Sequence, residues 1–400
     1  MRGRKIKATD LQHTEPLYKN MVQHHIIALV GSWDNMSTRK VSIVDVAKEA
    51  GVSYQTVSRV INNSPAVREA TRRKVQEAIR QLNYHPSLSA QSLKTQRTRM
   101  IGVIASQTQY SGPLLTISAI ERMARSRNLF VSVATVDESR LNPADFSEIE
   151  ESFVKLGVEA VVIVAPTEAM VTLAVESHVN IPRVIITAPE GMQQLSSRNF
   201  DSSRVKFVST NQDAVSEQIV HGLRASGIER VLYISGPQQW RDAYTRCHAC
   251  VRACEHNSLT VQVVDAGDWL SMNSYDKLTA LLQAGASTAM KNTAIWAAND
   301  LLAMGARRAL LEAGLDVPGD VQVIGYDDMP GTESLVPPLT TVNPNYEKVG
   351  SIAMRLVLDL LGYTAEDDED NSVEEYTLLD GSDCVYLVEP RLVLRASTLS

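Results

Sequence analysis

"VSIVDVAKEAGVSYQTVSRVIN" (residues 41–62) is the stretch that determines the fold of the first domain. Its first half places apolar residues at the i, i+3, i+4, i+7 spacing of one helix face: Ile43, Val46, Ala47 and Ala50. Gly51 is predicted to end this helix, because glycine enters the left-handed conformation at little cost. Ser53 then provides a suitable N-cap for a second helix. The stretch therefore predicts two short helices joined by a tight turn.

A third helix is predicted at about residues 69–83, after "NNSP" (62–65) ends the second one. The inward-facing apolar residues of these two helices are Val57, Val60, Ile61, Val75, Ile79 and Leu82. Two helices joined by a glycine turn and braced by a third form the helix-turn-helix plan, in which the second helix enters the major groove of DNA.

The first turn of the second helix carries residue types that recognise bases. Gln55 can pair bidentately with an adenine edge and Arg59 with a guanine, while Tyr54 precedes them. Polar residues around them are placed to contact phosphates, although any exposed helix start can look similar. The candidate DNA-contacting residues are Ser42, Ser53, Tyr54, Gln55, Thr56, Ser58, Arg59, Asn62, Thr71 and Leu93.

Charge is distributed unevenly along the chain. Residues 36–99 carry 12 Lys and Arg against 4 Asp and Glu, a net charge of +8, whereas residues 100–400 carry 22 against 39, a net charge of −17. A small basic module joined to a large acidic one points to a polyanion partner such as double-stranded DNA, although a solvated basic surface would have the same charge.

A polar stretch, "SLSAQSLKTQRTR" (87–99), follows the basic module. Small residues surround Leu93, so two copies could form hinge helices that approach closely on DNA and insert Leu93 between base steps. The alternative is a flexible linker.

Residues 41–99 resemble the headpiece of the lactose/galactose repressor family of bacterial transcriptional regulators, most closely its lactose-type members. "DVAKEAGVSYQTVSRVIN" carries the resemblance, which extends more weakly to about residue 395. It implies a sequence-specific repressor that is not an enzyme and whose core binds a small sugar effector, of galactoside type. It also implies a homodimer. Alternatives are a response to another sugar, an activator, or a sugar-binding protein without a DNA role.

The acidic part alternates buried strands with helices in two series. Four strand-like runs lie between residues 100 and 188, and four more between 230 and 328. Such alternation predicts an α/β core of two doubly wound parallel sheets, with a ligand cleft beyond the strand ends. The resemblance implies a two-lobed core like that of periplasmic sugar-binding proteins.

Polar and aromatic residues follow several of these strands. Asn299 and Asp300 follow one strand, Asp327 follows another, and Trp269 follows a third, while Arg246 lies on a helix. Each has an alternative: Asp300 is more simply a helix N-cap, Arg246 a surface residue and Trp269 a core residue. The effector-binding residues that the resemblance implies are Tyr110, Pro113, Arg246, Trp269, Asn299, Asp327 and Tyr346.

Some positions depart from the lactose-type pattern. Thr187 stands where an aspartate is usual, Ser209 where an aromatic residue is usual, and Ala249 and Cys250 replace a glycine–aromatic pair. Sugar binding is still expected, but these changes leave the particular sugar open.

Three of the four cysteines lie on one predicted helix face: Cys247, Cys250 and Cys254. Buried core thiols are the simplest interpretation, ahead of incidental thiols or a metal or redox site, because no second pair of ligands accompanies them. No phosphate-binding glycine loop, nucleophile elbow or His-Glu metal motif appears, so no cofactor or catalytic residue is predicted.

No run reaches the roughly 18–20 apolar residues that span a bilayer, and the apolar run Ile26–Val30 is too short for a signal sequence. We therefore expect a cytoplasmic protein.

Residues 365–375 form an acidic run, expected to be a solvated loop. In the lactose-type members that this sequence resembles, a leucine-repeat tail makes tetramers. No such tail follows the last predicted strand (391–397), so the resemblance implies a dimer. Residues 1–40 are expected to be a disordered or non-native extension, because the stretch that begins at Met36 resembles the usual N-terminus of the family's proteins. The expected domains are the headpiece (41–86), the hinge (87–99), the N-terminal lobe (100–207 with part of 345–375) and the C-terminal lobe (208–341 with part of 376–397).

Overall fold

The structure is a computed structural model that describes residues 41–62, 64–85, 97–106, 110–189, 200–285, 290–363 and 376–399. The chain divides into two compact units, Met1–Gln91 and Ser92–Ser400. The expected N-terminal extension, most of the hinge including Leu93, and the acidic run 365–375 lie outside the described residues.

The headpiece consists of three helices: α1 (Ile43–Ala50), α2 (Tyr54–Ile61) and α3 (Glu69–Gln81). Ser42 and Asp45 form a reciprocal capping box that starts α1. Gly51 ends α1 with a φ of 67°, so the predicted left-handed turn is confirmed. Fully buried apolar side chains from all three helices form the core: Val46, Ala47, Val57, Val60, Val75 and Ala78. The helix-turn-helix prediction is confirmed.

The N-terminal lobe is built on a seven-stranded sheet with helices packed against it. Its elements are β1 (Met100–Ser106), α4 (Ser111–Ser126), β2 (Phe130–Val136), α5 (Pro143–Leu156), β3 (Ala160–Val164), α6 (Glu168–Glu176), β4 (Arg183–Ile186) and β5 (Val205–Thr210), joined by α11 (Tyr346–Leu360), β11 (Thr377–Leu378) and β12 (Val385–Val388) from the end of the chain. The strand order is β11-β12-β5-β4-β3-β1-β2, and every pair is parallel except β11 with β12.

The C-terminal lobe has a four-stranded parallel sheet in the order β7-β6-β8-β9. Its elements are α7 (Gln212–Ala225), β6 (Arg230–Ser235), α8 (Arg241–His256), β7 (Thr260–Asp265), α9 (Ser271–Gln283), β8 (Thr293–Ala297), α10 (Asp300–Glu312) and β9 (Val321–Ile324), with a small antiparallel pair of β10 (Thr341–Asn343) and β13 (Arg391–Val393). The predicted α/β core of parallel sheets is confirmed.

The chain crosses between the lobes three times. β5 lies in the N-terminal sheet and leads into α7, which packs against α8 in the C-terminal lobe. β10 leads back to α11, which packs on α4. Finally β12, in the N-terminal sheet, leads to β13, which pairs with β10. The lobes are therefore joined by three short connections at one side of the cleft.

Three strands of the N-terminal sheet were not among the predicted strands: β5, β12 and the two-residue β11. β5 has the sequence VKFVST, in which Lys206 interrupts the apolar run, and β12 is only four residues long. The sheet thus continues to Thr210, beyond the expected lobe limit at residue 207. Within the described part of the chain, no helix is both long and apolar enough to cross a membrane.

The predicted cysteine helix corresponds to α8, and Cys247, Cys250 and Cys254 are all buried in the C-terminal core. Burial raises the pKa of the Cys247 thiol to about 11. Among the described residues no group of His, Cys, Asp or Glu is arranged to hold a metal ion. The three thiols therefore act as small core side chains.

Candidate functional site

The start of α2 presents its polar residues to solvent. Tyr54 is 57% exposed, and Gln55 and Arg59 are exposed as well, while Val57 and Val60 on the opposite face are buried. The helix is therefore anchored by one face and offers the other, carrying the candidate base-contacting side chains, to a partner.

Several of the candidate phosphate-contacting residues also support the helices. The Ser42 hydroxyl donates to Asp45 Oδ2 at 2.7 Å, and Ser53 Oγ accepts from the Thr56 amide at 3.2 Å as the N-cap of α2. Asn62 Nδ2 donates to the Ser58 carbonyl at 2.5 Å. Thr71 lies half-buried in the first turn of α3. These contacts hold the headpiece in shape whether or not the same residues touch DNA.

A cavity lies between the two lobes of the core, at the carboxyl ends of the parallel strands. It encloses about 820 Å³ of space free of protein atoms, counting the part open to solvent. All seven candidate effector residues line it: Tyr110, Pro113, Arg246, Trp269, Asn299, Asp327 and Tyr346. The fold thus brings together residues that are up to 236 positions apart.

The floor of the cavity is a charged pair from the C-terminal lobe. Arg246 Nη1 lies 3.6 Å from Asp327 Oδ1 and donates to the Ala298 carbonyl at 2.7 Å. The guanidinium also stacks on the ring of Tyr326, 3.6 Å from its centroid. Tyr346, the first residue of α11, donates its hydroxyl to Asp327 Oδ1 at 2.8 Å. The two charges are therefore held in fixed positions.

Asp327 has an unusual backbone conformation, with a φ of 106°. Non-glycine residues rarely occupy this region, and such strain is often found at binding sites. Burial raises the pKa of the Asp327 carboxyl, while Arg246 and the Tyr346 hydroxyl oppose that shift. The strained turn aims a carboxylate with two fixed partners into the cleft.

One wall of the cavity is aromatic. Trp240 lies edge-on between Tyr110 and Trp269, with ring centroids 5.2 Å and 5.7 Å apart. Gly236, just after β6, allows this arrangement, because a Cβ at that position would lie 2.5 Å from the Trp269 ring. Trp269 is thus both part of the C-terminal core and a residue that lines the cavity. The sequence had left these two positions, in the core or at the candidate effector site, as alternatives.

The predicted helix cap at the end of β8 is wrong by one residue. Asn299, not Asp300, is the N-cap of α10, and its Oδ1 accepts from the Leu302 amide at 2.8 Å. Asp300 is fully buried, where it accepts from Thr341 Oγ1 and from the Met329 amide. Burial, reinforced by the nearby Asp327, raises the pKa of Asp300 to about 7.

Three residues that line the cavity each carry a buried side-chain polar atom without a hydrogen-bond partner among the described residues. These atoms are Arg246 Nε, Trp269 Nε1 and Ser209 Oγ, and each of the three residues is more than nine-tenths buried. Buried donors are almost always paired in folded proteins. The three residues all line one cavity, which indicates a place for a polar ligand.

The lobes also touch directly at the rim of the cleft. Arg241, at the start of α8, donates to Thr187 Oγ1 at 3.1 Å and to the Ala188 carbonyl at 2.9 Å, and it pairs with Glu168. The Tyr110 hydroxyl donates to Asp268 Oδ1 at 3.2 Å. These contacts hold the two lobes together around the cavity.

Sequence reasoning missed part of the lining. Trp240 and Asp242 were not singled out, although both lie on either side of Arg241 at the start of the helix that carries Arg246. The i, i+4 spacing of Asp242 and Arg246 was a signal that both face the same side. Ser209 was noted only as a departure from a family pattern, yet it lines the cavity.

Comparison with known proteins agrees with this architecture. Residues 42–87 match the family described as bacterial regulatory proteins, lacI family, and residues 220–398 match the periplasmic binding protein-like domain. The HTH-type transcriptional repressor PurR of Proteus mirabilis (strain HI4320) is 30% identical over 369 residues, covering 89% of this chain and 96% of that protein. The lactose operon repressor of Escherichia coli (strain K12) is 29% identical over 323 residues, covering 80% and 85%.

A solved structure, the lac repressor dimer bound to operator and the anti-inducer ONPF, has a TM-score of 0.73 and 26% identity, and the match covers 90% of this chain and 100% of that one. These similar proteins are transcriptional regulators rather than enzymes, as the sequence indicated. The chain is a helix-turn-helix transcriptional regulator that belongs to the lacI family of bacterial regulatory proteins.

Proposed function

We propose that the chain represses transcription by binding an operator, and that a small sugar of galactoside type controls this binding from the cavity between the lobes. The observation that carries the proposal is that three residues with unpaired buried polar atoms line one cavity, which also has an aromatic wall. Its setting is the cytoplasm, where bacterial DNA is found.

The chemistry of the cavity suits a sugar. A sugar hydroxyl both donates and accepts, so it can satisfy the free Nε–H groups of Arg246 and Trp269 while donating to Asp327. The indole faces of Trp240 and Trp269 offer apolar surface for the C–H face of a pyranose ring.

For the headpiece, we propose that Gln55 and Arg59 contact base edges and that Tyr54 packs beside them. Their exposure on an otherwise anchored helix supports this, as does the net charge of +8 over residues 36–99. A homodimer would place two headpieces on the two halves of a roughly palindromic site. The lac repressor described above was solved as a dimer on its operator.

Coupling between sugar and operator would follow from the cavity's position. A ligand there contacts both lobes, which are joined by three short connections, so its binding favours one relative orientation of the lobes. The shift in operator affinity is limited by the difference in sugar affinity between the two states.

The test begins with selection of an operator from random duplexes by the full-length protein. Fluorescence anisotropy then measures affinity for that duplex with galactose, lactose, glucose, cellobiose and arabinose. We expect at least one galactoside to lower operator affinity at least fivefold. Operator affinity that is unchanged by every sugar would contradict the proposal.

Asp327→Ala is the matched variant. It should bind the selected operator normally and lose the response to sugar, because it removes the carboxylate that Arg246 and Tyr346 hold in the cavity. Asp213→Ala is the control, since Asp213 pairs with Arg252 on the surface of the same lobe and does not line the cavity. It should respond to sugar as the unmodified protein does.

A further inference from the structure

The charged side chains that line the cavity carry a net negative charge. Among the described lining residues they are Asp242, Arg246 and Asp327, two carboxylates against one guanidinium. Arg246 and Asp327 neutralise each other at 3.6 Å, and both have further fixed partners. The remaining charge belongs to Asp242.

Asp242 makes no hydrogen bond or ion pair with any part of the chain that the structure describes. It is half-buried and lies one helical turn before Arg246, so both side chains face the cavity. Its charge reaches the floor of the site: burial is the main cause that raises the pKa of Asp327, and Asp242 raises it further. A carboxylate that no described residue hydrogen-bonds, and whose charge also acts on Arg246, therefore faces the space that a ligand would occupy.

Within the described part of the chain, the wall opposite Asp242 offers it no counter-charge. The N-terminal lobe contributes hydroxyl, aromatic and apolar groups among its described lining residues: Tyr110, Pro113, Thr116, Val164, Ile186, Thr187 and Val349. Arg241, the residue next to Asp242, directs its guanidinium to Glu168, Thr187 and the Ala188 carbonyl at the rim. A ligand in the cavity thus meets a surplus of negative charge.

Asp242 also lies in the first turn of α8, where a carboxylate favours the helix through the helix dipole. That explains why an acidic residue is tolerated at the position, and it would apply equally if Asp242 had no role in ligand choice. A residue that only stabilises the start of a helix does not change the relative affinities of two ligands. A comparison of ligand affinities therefore distinguishes a role in ligand choice from a role at the helix start.

We propose that Asp242 determines which sugars the cavity accepts: it admits sugars that present a hydroxyl or an ammonium group to it and excludes sugar acids and sugar phosphates. This inference rests on the proposed role of the cavity as the effector site. Repulsion by an unpaired, partly buried charge is an effective way to reject a competitor of the same shape, because the low local dielectric strengthens the interaction.

The test uses three ligands that share one ring and differ in charge: galactose, galacturonate and galactosamine, with glucose, glucuronate and glucosamine as a second series. Calorimetry at pH 6.5, where the acids are anionic and the amines cationic, measures each affinity for the full-length protein. We expect each neutral sugar that binds to do so at least tenfold more tightly than its acid, and its amine to bind at least as tightly as the neutral form.

Asp242→Asn keeps the size of the side chain and removes its charge. In this variant the preference for the neutral sugar over the acid should fall below threefold, and the amine should lose its advantage. Asp242→Ser provides a second replacement, and operator binding with circular dichroism verifies that both variants fold. Asp213→Asn removes a charge of the same sign from the surface of the same lobe, and its preferences should be unchanged.

Each outcome is informative. If the unmodified protein binds the acid as tightly as the neutral sugar, or if both Asp242 variants keep the original preference, the inference is wrong and Asp242 serves only the helix start. If the protein binds no sugar of either series and none alters its affinity for the operator, the effector site itself is wrongly assigned, which is a failure of the proposed function.

Discussion

The headpiece and the core place their functional side chains in opposite environments. In the headpiece, Tyr54, Gln55 and Arg59 lie outside a small apolar core, so they can be changed without altering what holds the helices together. In the core, Arg246 and Asp327 are 7% and 8% exposed and lie within the packed interior. A rigid duplex can be contacted from the surface, whereas a small ligand must be surrounded. Function and stability are therefore separable for the candidate base-contacting side chains of the headpiece and linked in the core.

The largest effect is expected where the helices that carry the cavity residues pack together. Gly305 lies on α10, and a Cβ there would be 1.9 Å from the Ser271 carbonyl oxygen at the start of α9. Gly305→Ala should lower the free energy of unfolding by about 3 kcal/mol, because neither backbone can move freely. Since α9 and α10 follow Trp269 and Asn299, sugar affinity should fall with stability.

Gly222→Ala is the control for that variant and is measured in the same urea titration. Gly222 lies within α7 with open space around its Cα, so alanine there should stabilise the protein by about 0.5–1 kcal/mol. Equal stabilities of the two variants would contradict the close packing of α9 against α10.

A second core effect depends on pH. The pKa of Asp300 is raised from 3.8 to about 7, so between these values the folded protein holds a proton that the unfolded chain has released. Stability should therefore fall as pH rises, by about 2 to 3 kcal/mol between pH 5 and pH 8. Urea unfolding at a series of pH values measures this slope.

Asp300→Asn isolates the contribution of this one group. The amide can donate to Thr341 Oγ1 and accept from the Met329 amide, as the protonated acid does, so the variant should be less sensitive to pH. Identical slopes for the variant and the unmodified protein would show that Asp300 does not titrate in this range.

In the headpiece we expect a functional effect without a change in stability. Gln55→Ala should reduce discrimination at one base pair of the selected operator by about 1–3 kcal/mol. Its thermal unfolding should match that of the unmodified protein, because Gln55 is exposed.

Gln76→Ala, an exposed glutamine on α3, is the matched control and should bind all operator variants as before. Loss of stability in Gln55→Ala, or an equal loss of discrimination in both variants, would remove the distinction between the headpiece and the core.

The smallest effect concerns a residue that was predicted to contact phosphate. Ser42 starts α1 through its capping box with Asp45, so Ser42→Ala should cost about 1 kcal/mol of local helix stability. Faster amide hydrogen exchange in α1 of the full chain would report this loss. Unchanged exchange would mean that the capping box contributes nothing measurable.

Local patterns allowed much of this organisation to be predicted. Helix spacing and Gly51 were sufficient for the headpiece, because its three helices follow one another in the chain and pack together. Strand ends indicated Trp269, Asn299 and Asp327 in the same way, since a parallel sheet brings its carboxyl ends to one edge.

What could not be predicted depends on distant pairing or on competition between neighbours. β12 pairs with β5 across nearly 180 residues, and no local pattern specifies that partner. Asn299 caps α10 because the Asp300 carboxylate instead accepts hydrogen bonds from Thr341 and from the Met329 amide. Only the folded lobe brings these two residues close to Asp300. No sequence pattern around Trp240 indicates that its ring lies between those of Tyr110 and Trp269.

The three connections between the lobes have a consequence for the order of events during synthesis. The headpiece core is complete once residues 41–84 have left the ribosome. The N-terminal sheet, in contrast, waits for β12 (Val385–Val388), and the C-terminal lobe waits for β13 (Arg391–Val393) to pair with β10. Neither lobe can be finished before β12 and β13 have been translated, so the helix-turn-helix module of a nascent chain is complete well before the core that encloses the cavity.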